Sequence, residues 1–152
     1  MAYWRVAAAV LAVVLACSAA EGTPPDPSDA TSVEAFSEDI VVAADGTYID
    51  TVHSEMKATN EAGAMQASRI SVLYDSELQD VEILEAHTLK PDGSKIPVDI
   101  NTIYEQLPPD NTLAVTSFRI KVLLFPQFAA GDTAVYTVRY KTNKPNFAGE
   151  FT

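Results

Sequence analysis

Residues 115–125 read VTSFRIKVLLF, and their alternation decides the fold class. Phe118, Ile120, Val122 and Leu124 share one face of an extended chain, while Arg119 and Lys121 take the other until Leu123. Alternation with period two marks a strand with one face buried. After Pro126 and a Gly131-Asp132 turn the pattern returns over 133–142, with Tyr136, Val138 and Tyr140 set against Thr137, Arg139 and Lys141.

The same reading extends toward the N-terminus. Residues 80–90 carry Val81 and Ile83 on one side and Leu84 and Ala86 on the other, a strand covered on both faces for part of its length. Pro91-Asp92-Gly93 sets a turn, and 95–98 returns as a short strand whose Pro97 belongs at an edge or strand end. Asp45-Gly46, between 39–43 and 47–59, predicts a hairpin, because these residues accept the positive φ of a tight turn. In its second strand Tyr48, Val52, Met56 and Ala58 fall on one face, and His53, Glu55 and Lys57 on the other. Asn60-Glu61-Ala62-Gly63 predicts a turn and 65–74 a strand, although 64–67 equally fits the start of a short helix. The polar stretch 99–113, around Pro108-Pro109-Asp110, is a connection with one helical turn expected near 103–106. About seven strands at regular spacing predict an all-β fold, an antiparallel β-sandwich-like domain or a strongly curved sheet.

The first residues do not belong to this pattern. Arg5 precedes an uninterrupted apolar run from Val6 to Ala16, the length of a signal-peptide core and too short to span a bilayer. Residues 1–20 are therefore expected to be a signal peptide. Cleavage after Ala20 fits the small residues at the end of this stretch. Val14-Leu15-Ala16-Cys17 also fits a bacterial lipobox, and the lipobox is the favoured reading. Cys17, the chain's single cysteine, is then the lipidation site, and the partner is a membrane reached through that N-terminal anchor. The expected location is the bacterial cell envelope, as an outer-membrane lipoprotein facing the periplasm, with a secreted or periplasmic protein as the alternative. Residues 21–37, rich in Pro, Asp, Ser and Thr, are expected to form a flexible tether, and 38–152 the domain.

The formal net charge is −11, and the exported part, which lacks Arg5, is one unit more acidic. Such a surface disfavours nucleic acid and anionic lipid headgroups as partners. A chain of this length buries roughly two-thirds of its unfolded surface, so the fold rests on its core and not on disulfides.

Several signatures occur in order: Asp45-Gly46, Asn60-Glu61-Ala62-Gly63, Tyr74-Asp75-Ser76, residues 81–88 (VEILEAHT), Lys90-Pro91-Asp92-Gly93, Phe125-Pro126 and Gly131-Asp132. Together they resemble the bacterial domain of unknown function found N-terminal to transglutaminase-like domains in exported proteins. The resemblance implies a β-sandwich-like accessory domain, followed in that family by a catalytic domain with a Cys-His-Asp triad. No such triad maps onto this sequence. Residues 147–152 (FAGEFT) resemble an internal stretch of the family domain, so the chain is expected to be a fragment of a longer product, truncated within the sandwich, or a natural short member.

Candidate chemistry is sparse. His53 and His87 each lie mid-strand beside a carboxylate, Glu55 and Glu85, and are expected to be surface or cross-strand residues rather than zinc ligands, which normally number three or four. Asp75, Glu77 and Asp80 near a turn, with Asp99 and Asp110, read as solvated turn acids in preference to a calcium site. Phe118, Tyr136 and Tyr140 read as sandwich core. No catalytic residue, cofactor or metal is expected. The expected function is that of a non-catalytic envelope accessory module, with a transglutaminase-like or other envelope protein domain as partner. The alternative is a stand-alone adhesion or scaffold lipoprotein that binds a protein or glycan through a sheet edge or the 101–113 loop.

Overall fold

The computed structural model describes residues 30–108 and 117–144. Their strands are antiparallel and form two sheets, as the alternation predicts. The larger sheet has the order β1-β2-β8-β4-β5, with β1 Thr31–Val42, β2 Tyr48–Ala58, β8 Thr133–Thr142, β4 Gln79–Leu89 and β5 Lys95–Pro97. The smaller has the order β3-β7-β6, with β3 Arg69–Asp75, β7 Phe118–Leu124 and β6 Tyr104–Gln106. One helix, α1 (Glu61–Ala67), links β2 to β3.

Turn chemistry fixes the register. In the β1–β2 hairpin Gly46 has φ 81° and the Asp45 carboxylate accepts from the Thr47 N–H at 3.0 Å, which sets Val42 opposite Tyr48. Gly93 takes φ 85° in the β4–β5 turn, where Asp92 accepts from the Ser94 N–H at 2.9 Å. Pro97 lies on β5, the edge strand, where its missing N–H leaves no ladder bond unmade.

The core lies between the sheets. Val72, Val98, Leu123, Phe125, Ala134 and Val138 are buried there, with Ile70, Val81, Ile83, Tyr136 and Tyr140 packed against them. Phe125 meets Phe128 and Tyr136 edge-on, with centroids at 6.1 and 6.4 Å.

Four expectations are corrected. Residues 31–37, expected in the tether, belong to β1. Their Ser- and Thr-rich composition hides a strand because an edge strand needs partners on one side only, and β2 supplies them from Ala58 to His53. The Asn60–Gly63 turn is the start of α1: the Asn60 carboxamide accepts from the Gly63 N–H at 3.0 Å, an N-cap, so the next strand begins at Arg69. The helical turn sits at Ile100–Thr102, and Tyr104–Gln106 is a strand paired with β7. Finally, the inward face of β7 carries Leu123, so Phe118, Ile120 and Val122 point to the other face, and of the expected aromatic stripe only Tyr136 and Tyr140 reach the core. Alternation determines which residues share a face but not which face turns inward.

Candidate functional site

The two histidines come together on the outer face of the large sheet. His53 on β2 and Glu85 on β4 both register with Thr137 of β8, and Glu55 and His87 both register with Val135. The His53 Nδ1 lies 2.9 Å from Thr137 Oγ1, and its Nε2 lies 3.4 Å from Glu55. His87 Nδ1 lies 3.2 Å from Glu85, while its Nε2 is buried with no hydrogen-bond partner among the described residues. Burial holds the His87 imidazole below its usual pKa, Lys95 adds to this, and Glu85 and Glu55 oppose it. Thr137, His53 and Glu55 thus line up as hydroxyl, imidazole and carboxylate. They lie on a paired strand face, however, where the neighbouring backbone N–H groups are engaged in ladders rather than aimed at a substrate oxygen. Among the described residues no group of three or more His, Cys, Asp or Glu is placed to hold a metal ion.

A second cluster, not evident from the sequence, lies on the inward face of the small sheet. The Tyr74 hydroxyl donates to Glu105, which also meets Lys121 at 3.5 Å and Arg119 at 3.9 Å. The Lys121 ammonium stands 5.5 Å from the Tyr74 ring centroid. Burial and the Glu105 contact push the Tyr74 phenol up to about 12, and the same hydrogen bond holds the Glu105 carboxyl low. This arrangement neutralises charge beside the core and is filled by its own members. Its signal in the sequence is the pair Arg119 and Lys121, on the face that proves to be inward.

Several of the quoted signatures, Asn60–Gly63, Lys90–Gly93, Phe125-Pro126 and Gly131-Asp132, meet at the end of the large sheet where β8 begins. Lys90, at the β4–β5 turn, donates to the Gln127 carbonyl and lies 2.7 Å from the Asp132 carboxylate. Asp132 also accepts from the Ala129 N–H at 2.7 Å. Thr88 donates to the Pro126 carbonyl at 2.9 Å, and the Gly131 N–H donates to the Ala58 carbonyl at 2.7 Å. At Gly63 an added Cβ would lie 1.7 Å from the Ala30 carbonyl oxygen, so only glycine permits α1 to sit against the start of β1. These residues fasten loops and carry no reactive group.

Of the acids considered for calcium, two are committed to turns: Asp75 accepts from the Glu77 N–H and Asp99 from the Asn101 N–H, each at 2.9 Å, while Asp80 lies in β4. Cys17, Asp110, all of the expected signal peptide 1–20, residues 21–29 of the expected tether and part of the 101–113 loop lie outside the described residues.

What stands open is strand edge and sheet face. Among the described residues β1 pairs on one side only along its 12 residues. Val33 (62%), Phe36 (62%), Ile40 (53%) and Val42 (55%) are exposed, and Phe36, Ile40 and Val42 lie on the inward side of the sheet. On that side too the Asp50 carboxyl has Oδ1 buried with no hydrogen-bond partner among the described residues, and burial and then Glu38 hold its pKa above the usual carboxylate range.

Comparison with known proteins agrees with this picture. A crystal structure described as a "putative protease" from Parabacteroides distasonis ATCC 8503 is similar in fold, with TM-score 0.67 and 18% identity over 76% of this chain. The match takes in 24% of that protein, so this chain spans about a quarter of its length. Nothing matches among curated proteins. Residues 44–152 match the model of a domain of unknown function with solved structure, DUF3857. The chain belongs to the DUF3857 family.

Proposed function

We propose that this domain is a non-catalytic accessory module of an exported envelope protein, working beside a transglutaminase- or peptidase-like domain that it positions or supplies with substrate. One observation carries the reading: a fold that fills 76% of this chain makes up 24% of the Parabacteroides distasonis protein. The same architecture is thus one part of a much larger chain there. The signal at the N-terminus and the lipobox at Cys17 belong to the proposal, as does a membrane-held, periplasm-facing location.

The test is an activity assay on the purified chain with peptide-amide and transamidation substrates. No turnover is expected. The Thr137–His53–Glu55 line-up defines the control, since turnover abolished by His53→Ala or His87→Ala would overturn the reading.

The exposed β1 edge favours a second reading, a scaffold that captures an extended segment of another protein by strand addition. Its acidic residues Glu34, Glu38 and Asp39 select a basic segment and oppose self-pairing. A synthetic 12-mer alternating Lys and Val should bind, with affinity lost on Ser37→Pro. An alternating Glu and Val peptide binding equally well would rule out charge selection.

A further inference from the structure

The histidines and carboxylates of the large sheet form a square with β8 running through it. β2 and β4 are both antiparallel to β8, so they run in the same direction. Their His–Glu pairs nevertheless come in opposite order, His53 then Glu55 on β2 and Glu85 then His87 on β4. Registered on Thr137 and Val135, each histidine therefore faces a carboxylate across β8: His53 faces Glu85, and His87 faces Glu55. Two strand spacings separate the facing backbones, about 10 Å, a gap that a His and a Glu side chain bridge together.

The two histidines are unequal. The His53 ring meets Thr137 Oγ1 at one nitrogen and Glu55 at the other, and its side chain is 31% exposed. The His87 side chain is 7% exposed and lies beside Val135 and Pro97, with Nδ1 on Glu85. A neutral ring that donates from Nδ1 leaves only a lone pair at Nε2, which a buried position tolerates. Protonation puts a second, charged N–H there, and among the described residues no acceptor stands in reach of that position. The charged and titratable groups facing His87 are Glu85 on its own strand, Glu55 and His53 on β2, and Lys95 on β5; β8 contributes the uncharged Val135 and Thr137. Lys95 and His53 repel the added charge, and Glu85 is already engaged at Nδ1. Glu55 is the carboxylate that remains for the new N–H.

We propose that His87 is an acid-driven switch: on taking up a proton its ring turns out of its buried position toward Glu55, links β4 to β2 across β8, and draws the Glu55 carboxylate away from His53. The proton comes from solvent, and no other bond to the ring is made or broken. The switch is independent of the accessory role proposed above.

Nuclear magnetic resonance on the full chain, from pH 8 to pH 4.5, tests it. A contact between the His87 ring and the Glu55 side chain should appear only on the acid side of the His87 midpoint. The ring Cε1–H signal of His53 should show a second inflection at that same midpoint, as Glu55 leaves it. In Glu55→Ala this second inflection should be lost while His87 still titrates, with the amide signals of the β4–β8 ladder unchanged as the control for folding. In the unmodified chain, a His87 ring that titrates without gaining the contact to Glu55 would overturn the proposal, and so would a single inflection at His53. A second inflection that persists in Glu55→Ala would overturn it too, because it would report direct repulsion between the two rings.

Discussion

Lys90 and Asp132 are 42 residues apart in sequence, yet the ammonium of one lies 2.7 Å from the carboxylate of the other, and the Asp132 side chain is 4% exposed. The pair joins the β4–β5 turn to the loop before β8, and Asp132 adds a bond to the Ala129 N–H. Lys90→Met keeps the length of the side chain but leaves a buried carboxylate uncompensated. The expected cost is about 3 kcal/mol, read as a lowered urea midpoint at unchanged slope.

Gly63 and Gly93 separate steric from conformational cost. Gly63→Ala drives a Cβ to 1.7 Å from the Ala30 oxygen, and either α1 or the start of β1 must move. A loss of about 2–3 kcal/mol is expected. Gly93→Ala meets nothing within 4 Å and carries only the strain of φ +85°, about 1 kcal/mol. Thermal unfolding of the two variants should rank them in that order.

His87 makes stability depend on pH. Its folded pKa lies below 6.5, so between the two values the unfolded chain binds more protons than the folded one. Its stabilising effect is complete above 6.5 and declines as pH falls from there through the folded value. Urea midpoints measured from pH 7.5 to pH 5 should therefore decrease, and His87→Gln should flatten that slope.

Asp50 acts with the opposite sign. Its folded pKa is raised above 3.8, so the folded chain holds the proton more tightly, and stability declines as pH rises through that window. Asp50→Asn should raise the urea midpoint at neutral pH. An unchanged or lower midpoint would show the carboxylate to be satisfied in solution.

Tyr74 provides an alkaline counterpart. Its folded pKa rises from 10.0 to about 12, so its contribution is full below 10 and is lost as pH climbs toward 12. Ultraviolet titration should show Tyr74 among the late-ionising phenols, with Tyr140, which burial also raises, and Tyr74→Phe should reduce the late step by one phenol. The hydrogen bond itself is worth about 1 kcal/mol, at the low end for a charged acceptor because Glu105 is 43% exposed.

The strands with the strongest alternation, β2, β4, β7 and β8, are legible from residue type alone, and so are the Asp-Gly hairpins. The start of β1 is not, because Thr31 and Ser32 look like linker until β2 is present to pair with them. Nor is α1, where Asn60 and Gly63 serve equally well in a turn or an N-cap and the close approach of Ala30 decides. The Tyr74–Glu105–Lys121 cluster stays hidden for a related reason. Its members come from three strands, and the polar residues of β6 fit a helical turn as well as a strand until β7 pairs with them. The His–Glu neighbours are legible as pairs, but their meeting across β8 depends on a register that no local pattern encodes.

The paths of β1 and β8 have a mechanical consequence. Thr31 begins β1 opposite Ala58, and Thr142 ends β8 opposite Gln79, so the two lie at opposite ends of the large sheet with β2 between their strands. Tension applied at these two points runs along the strands. The β1–β2 and β2–β8 ladders are then loaded in shear, with many hydrogen bonds sharing the force at once, rather than peeled open one by one. A domain threaded in this way, pulled at Thr31 and at Thr142, transmits a load where a hairpin loaded at its open end would unzip.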